Sequence, residues 1–252
     1  MPEVSVSSGC FITHDYGFVR RMFELANTDS FELIVYKSIL NDLDSLLETF
    51  EGFEGIYSLH APKSAQIMLS SPLFQSNALR LLKGAADIAS ELGASLMVVH
   101  AWDGRYRQLP LDDIKVTIGS LVDYSADMGL GISIEALPSR FKYPGELVRE
   151  LLSSCEDLTF TLDFEYAATY DMFDNLLEIS DRISNVHLRD YNGEWVVDGR
   201  RSYLRPGLGN LDFEDIISKL KGRGYSSVYT LEAPYDEIDD LNMAIRRFRS
   251  LI

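Results

Sequence analysis

The chain has 252 residues, with 39 acidic and 23 basic side chains and a formal net charge of −16. Its apolar fraction of 46% is that of a folded globular protein, which excludes a disordered or fibrous chain. There is no long apolar segment or basic leader, only two cysteines (Cys10 and Cys155), and a large acidic surplus, so we expect no membrane, no nucleic-acid partner and a reducing cytoplasm.

Short β-rich runs open the chain at Val4–Ser8 and Phe31–Tyr36. Leu43, Leu46, Leu47 and Phe50 then recur at helical spacing behind the cap candidate Asn41. Runs at Gly55–His60 and Leu96–His100 follow, and after them a helical pattern of Leu111, Ile114, Ile118 and Leu121 behind Pro110. Two further runs, Gly131–Ala136 and Thr159–Phe164, precede an apolar helical cluster of Met172, Phe173, Leu176 and Leu177 that reads as core. Ser184–Leu188 is the seventh run. A helix of Phe213, Ile216, Ile217 and Leu220 follows, capped by Asp212 and ending near Gly222 and Gly224, and Ser227–Leu231 is the eighth run. Eight strands alternating with helices give about 31 residues per unit, the size of a βα repeat. The expected fold is α/β, a single (β/α)8 barrel forming one domain over residues 1–252, with a doubly wound open sheet as the alternative.

Several runs end on an ionisable residue: His60, His100, Glu135, Asp163, His187 and Glu232. Side chains alternate along a strand, so Ile132 and Ile134 face the helices while Gly131, Ser133 and Glu135 face inward. Asp163 above Thr159 and Thr161, and Glu232 above Val228 and Thr230, share that phase. Barrel active sites lie at the C-terminal strand ends. Three inward carboxylates there repel one another and call for a cation. With His187 they make an oxygen-rich ligand set for one divalent ion (Mn, Mg, Co, Fe or Zn) with positions left open for substrate. Any one of these strand ends, taken alone, is as readily a solvated or salt-bridged residue.

Tyr57–Pro62 (YSLHAP), Gly131–Glu135 (GISIE), Thr161–Asp163, Asn185–Asp190 (NVHLRD), Pro206–Phe213 (PGLGNLDF) and Thr230–Pro234 (TLEAP) together resemble the xylose isomerase-like TIM-barrel superfamily. That superfamily includes sugar isomerases and epimerases, inosose dehydratases and endonuclease IV-type AP endonucleases. The resemblance implies that Glu135, Asp163, His187 and Glu232 hold a single metal ion. It further implies that Glu135 and Glu232 act as acid and base on either side of a substrate carbon, through a metal-bound enediolate. The endonuclease branch uses additional ligands at positions that are Tyr166 and Arg201–Tyr203 here, where a neutral phenol or a guanidinium cannot replace them.

The expected function is therefore metal-dependent isomerisation or epimerisation of a sugar, sugar acid or sugar phosphate. The alternatives are an inosose dehydratase-like lyase, with His60 or His100 protonating the leaving group, an endonuclease IV-like repair enzyme, and a non-catalytic sugar-binding barrel. Trp102, Lys63, Arg201 and Arg205 are candidate substrate contacts. Arg200, Arg201 and Arg205 cluster ahead of Pro206–Gly209, where they suit an anionic group or simply form a solvated charge run on an acidic protein.

Overall fold

The computed structural model describes residues 2–36, 43–197 and 200–252, so the predicted cap Asn41 lies outside the described residues. Eight parallel strands close a barrel in the order β1-β10-β7-β6-β5-β4-β3-β2, flanked by helices, which is a (β/α)8 barrel. The barrel strands are β1 (Glu3–Ser7), β2 (Phe31–Ile34), β3 (Ile56–His60), β4 (Leu96–Val99), β5 (Gly131–Glu135), β6 (Thr159–Asp163), β7 (Ile183–Leu188) and β10 (Val228–Leu231). A two-stranded antiparallel ribbon, β8 (Val196–Val197) and β9 (Arg200–Arg201), follows β7. The helices are α1 (Tyr16–Leu25), α2 (Leu43–Phe50), α3 (Ser64–Leu69), α4 (Gln75–Glu91), α5 (Leu111–Ala126), α6 (Pro144–Ser154), α7 (Phe164–Thr169), α8 (Phe173–Leu177), α9 (Phe213–Gly222) and α10 (Ile238–Leu251). Among the described residues no helix is long and apolar enough to cross a membrane.

Packing divides the chain into two compact units, one of them continuous (Glu32–Thr161) and the other made of the residues up to Phe31 with Leu162–Ile252. In the continuous unit β4 is buried along its whole length, as its unbroken Leu-Met-Val-Val run requires of a strand covered on both faces. Ser133 pairs with Thr159 and Glu135 with Thr161 across β5 and β6. The inward phase places Ser133 Oγ 2.7 Å from Thr161 Oγ1, and Ser58 Oγ donates to the buried Glu32 carboxylate at 3.0 Å. In the other unit Thr230 Oγ1 donates to Asn185 Oδ1 at 2.8 Å. These polar layers satisfy their own hydrogen bonds, as buried hydroxyls and amides must.

The aromatic core of the second unit includes Phe164 stacked on Phe213, whose ring meets Phe248 edge-on. Phe160, Leu162, Tyr229 and Leu231 are all buried, and residues of the opposite phase meet one another, Ser133 with Thr161 and Thr230 with Asn185. Helix α9 starts where Asp212 accepts the Asp215 N–H, and α5 follows Pro110. Met172, Leu176 and Leu177 are buried, in keeping with the core reading of that cluster.

The long connection after β7 is anchored by one carboxylate. Asp190 Oδ2 accepts the N–H groups of Gly207 and Gly209, and Oδ1 accepts those of Tyr191 and Leu211. A Cβ at Gly209 would overlap Asp190 Oδ1, so only glycine lets the backbone approach this closely. Asp190→Asn replaces one acceptor oxygen with a donor that faces other donors. The expected loss is roughly 1.5–3 kcal/mol, the size of a hydrogen bond to a charged group, with faster protease cleavage in residues 200–211. Urea unfolding and limited proteolysis measure both, and unchanged values would remove Asp190 as the anchor.

Candidate active site

In the continuous unit, three of the expected residues meet. β3 ends at His60, β5 ends at Glu135, and His100 is the first residue past β4. All three are buried. His60 Nε2 lies 3.2 Å and His100 Nε2 2.5 Å from the same oxygen, Glu135 Oε2, and the two rings stand edge to face 4.7 Å apart. His60 Nδ1 lies 3.1 Å from the Ala61 carbonyl, and His100 Nδ1 lies 2.6 Å from the Gln66 amide of α3. Burial pushes His100 down to about 4, against the pull of Glu135, so its ring is neutral near pH 7. A neutral ring has one N–H. If His100 gives it to Glu135, its Nδ1 accepts, and the Gln66 amide then presents its NH2 side. Glu135 is thus held by two imidazoles.

In the other unit, Asp163 ends β6, His187 lies in β7 and Glu232 is the first residue past β10. All are buried. His187 Nδ1 stands 3.0 Å from Glu232 Oε2. Asp163 serves as N-cap of α7, with Oδ1 accepting the Tyr166 N–H at 2.8 Å. Its Oδ2 accepts from Arg189, a residue that the strand-end reading passed over. Glu165, also buried and also missed, pairs with Arg201 at 2.7 Å. Burial works against the Arg201 charge, and Glu165 more than offsets it, so the guanidinium is held above its ordinary value.

The four expected substrate contacts each have surroundings of their own. Trp102 is buried, and its Nε1 donates to the Pro138 carbonyl at 3.0 Å. Arg205 pairs with Asp240 of α10 at 2.8 Å and lies over the Tyr235 ring. Arg201 sits between Trp195 and Tyr203, its Cζ 4.8 and 4.7 Å from their ring centroids. Lys63 is exposed at the start of α3, and its charge helps depress His100.

A family model described as xylose isomerase-like TIM barrel matches residues 14–251. An uncharacterized protein of Methanocaldococcus jannaschii is 24% identical over 218 residues, covering 83% of this chain and 82% of its own. A ketose 3-epimerase of Arthrobacter globiformis is 24% identical over 237 residues, covering 88% of this chain and 75% of its own. The crystal structure of a D-allulose 3-epimerase from Methylomonas sp. in complex with D-allulose superposes with a TM-score of 0.80. It covers 99% of this chain and 97% of its own at 17% identity, a likeness of fold.

The Glu165–Arg201 pair yields a stability test. Arg201→Met leaves the Glu165 carboxylate buried with, among the described residues, the Arg189 Nε at 3.6 Å as its counter-charge. The expected loss is about 3 kcal/mol, the lower end of what breaking a buried pair costs, and the double variant with Glu165→Gln regains most of it. Urea denaturation of the two single variants and the double variant measures the coupling, and strictly additive losses would mean the pair does not act as one.

Proposed function

The chain belongs to the xylose isomerase-like TIM-barrel family, and on that footing we propose that it is a divalent-metal-dependent sugar epimerase or isomerase acting on a neutral ketose. One observation carries the reading: within one unit a donor atom from each of Asp163, His187 and Glu232 lies within 4.8 Å of the other two, and all three are buried, so that Glu135, the carboxylate on which β5 of the other unit ends, would complete a four-donor set. Three carboxylates and one imidazole suit a hard or intermediate divalent ion. The charges agree with this. Asp163, Glu165 and Glu232 bring three negative charges against two from Arg189 and Arg201, which leaves a negative surplus for a cation to balance.

When bound, the ion would supply Lewis-acid polarisation of a carbonyl, which acidifies the neighbouring C–H. The remaining work falls to the chain's own groups. Glu135 is held by His60 and His100, and Glu232 has the His187 ring 3.0 Å away, so each carboxylate stands beside imidazole as it takes or returns a proton. Proton removal next to the carbonyl gives an enediolate. Return to the opposite face gives the epimer, and return to the neighbouring carbon gives the isomer. Burial of these groups keeps water from protonating the intermediate at random.

A neutral substrate is favoured because the arginines are already committed. With Arg201 on Glu165 and Arg205 on Asp240, neither guanidinium is free for a phosphate or a sugar carboxylate. The ketose 3-epimerase and the D-allulose complex among the similar proteins support a ketose.

Glu135→Gln and Glu232→Gln should each lower epimerisation of a ketohexose by on the order of 10²–10⁴, because an amide cannot exchange the proton. Deuterium uptake from solvent into the substrate carbon reads the step directly, and wild-type exchange in both variants would remove the glutamates as acid and base. Arg205→Ala, which removes the ion pair to Asp240 and the contact with the Tyr235 ring, should change kcat/KM for a ketohexose by less than about fivefold. A sugar phosphate preferred by the parent, with that preference lost in Arg205→Ala, would refute the neutral-substrate reading.

A further inference from the structure

The carboxylate centre already contains a cation. Arg189 lies just past the end of β7, at the same parity as the inward Asn185 and His187, and is only 3% exposed. Its Nε and Nη2 stand 2.7 and 2.5 Å from a single oxygen, Asp163 Oδ2. Nε is also 3.6 Å from Glu165 Oε2 and 3.7 Å from Glu232 Oε2. The rings of Tyr166 and Tyr203 flank the guanidinium, with centroids 4.7 and 5.9 Å from its Cζ. A guanidinium among three carboxylates and two rings is well held, since arginine combines strong hydrogen bonds with ring stacking at little hydration cost.

That placement conflicts with an ion. Asp163 Oδ1 is committed to the cap of α7, so Oδ2 is the oxygen that Asp163 has to offer, and Arg189 holds it. Two cations drawn to one carboxylate oppose each other. Building on the four-donor reading above, we infer that Arg189 is a positioning residue that acts through Asp163: it balances the buried carboxylates when no ion is bound and competes with the ion for Oδ2. On ion uptake its hydrogen bonds pass toward Glu165, where Nε already stands at 3.6 Å. Arg189 thus stabilises the ion-free protein and lowers the affinity of the donor set for a divalent ion.

The test is calorimetric titration of the full chain with Mn²⁺, with thermal unfolding in EDTA and in Mn²⁺, for the parent, Arg189→Met, Arg189→Lys and Asp163→Ala. Arg189→Met should bind Mn²⁺ about tenfold tighter or more and melt lower in EDTA, with much of the loss regained in Mn²⁺. A merely structural role would not tighten binding. Equal or weaker Mn²⁺ binding by Arg189→Met overturns the inference and leaves the ion site standing. If that variant is recovered only unfolded, Arg189→Lys decides, because it keeps the charge: binding at least as tight as the parent's supports the inference, and weaker binding overturns it. A parent that takes up no Mn²⁺, or an Asp163→Ala protein that binds as the parent does, overturns the four-donor reading and the inference together.

Discussion

Carboxylates removed from water at the strand ends impose the constraint on which the rest of this structure depends. A buried carboxylate persists in charged form only beside a cation or several hydrogen-bond donors. Each one here has such company. Glu135 lies against two imidazoles, Asp163 against a guanidinium and a helix N-terminus, Glu165 against Arg201, and Glu232 beside His187 and Arg189. Asp190 reaches the same end through four backbone N–H groups and in doing so fixes the loop that carries Arg205 and Gly207. The architecture follows from keeping these groups satisfied while their strands stay parallel and covered.

The same constraint shapes the function proposed. Imidazoles that hold Glu135 also aim it, and a neutral His100 leaves the carboxylate able to exchange a proton. Arginines that balance Asp163 and Glu165 are not spare for an anionic ligand. Three buried carboxylates against two arginines suit a cation and an uncharged polyol better than a phosphate, which would bring further negative charge.

Much of this was legible in the sequence because the information is local. The period of two along each strand assigned Ser133, Glu135, Thr161 and Asp163 to one face, and the structure pairs Ser133 with Thr161 on it. Arg189 obeys the same alternation, continuing the phase of Asn185 and His187, but it lies beyond the strand end where the pattern was read. Glu165 is likewise two residues past Asp163, where the chain has turned into α7. Asp163 itself combines two roles, of which capping is visible as an aspartate three residues before Tyr166. Partners distant along the chain left no mark: Gln66 on His100 is 34 residues away, and Asp240 on Arg205 is 35. The sequence therefore left Arg201 and Arg205 open as a substrate clamp or a charge run, and the structure pairs them with Glu165 and Asp240.

The central claim is that Glu135, Asp163, His187 and Glu232 hold one divalent ion. Anomalous diffraction from crystals grown with Mn²⁺ tests it most directly, because it locates the ion without reference to turnover. The account predicts one strong peak per chain with all four residues contributing oxygen or nitrogen at about 2.0–2.4 Å. A peak coordinated by His60 and His100 without Asp163 and His187, or no peak under conditions where calorimetry shows saturation, would contradict it.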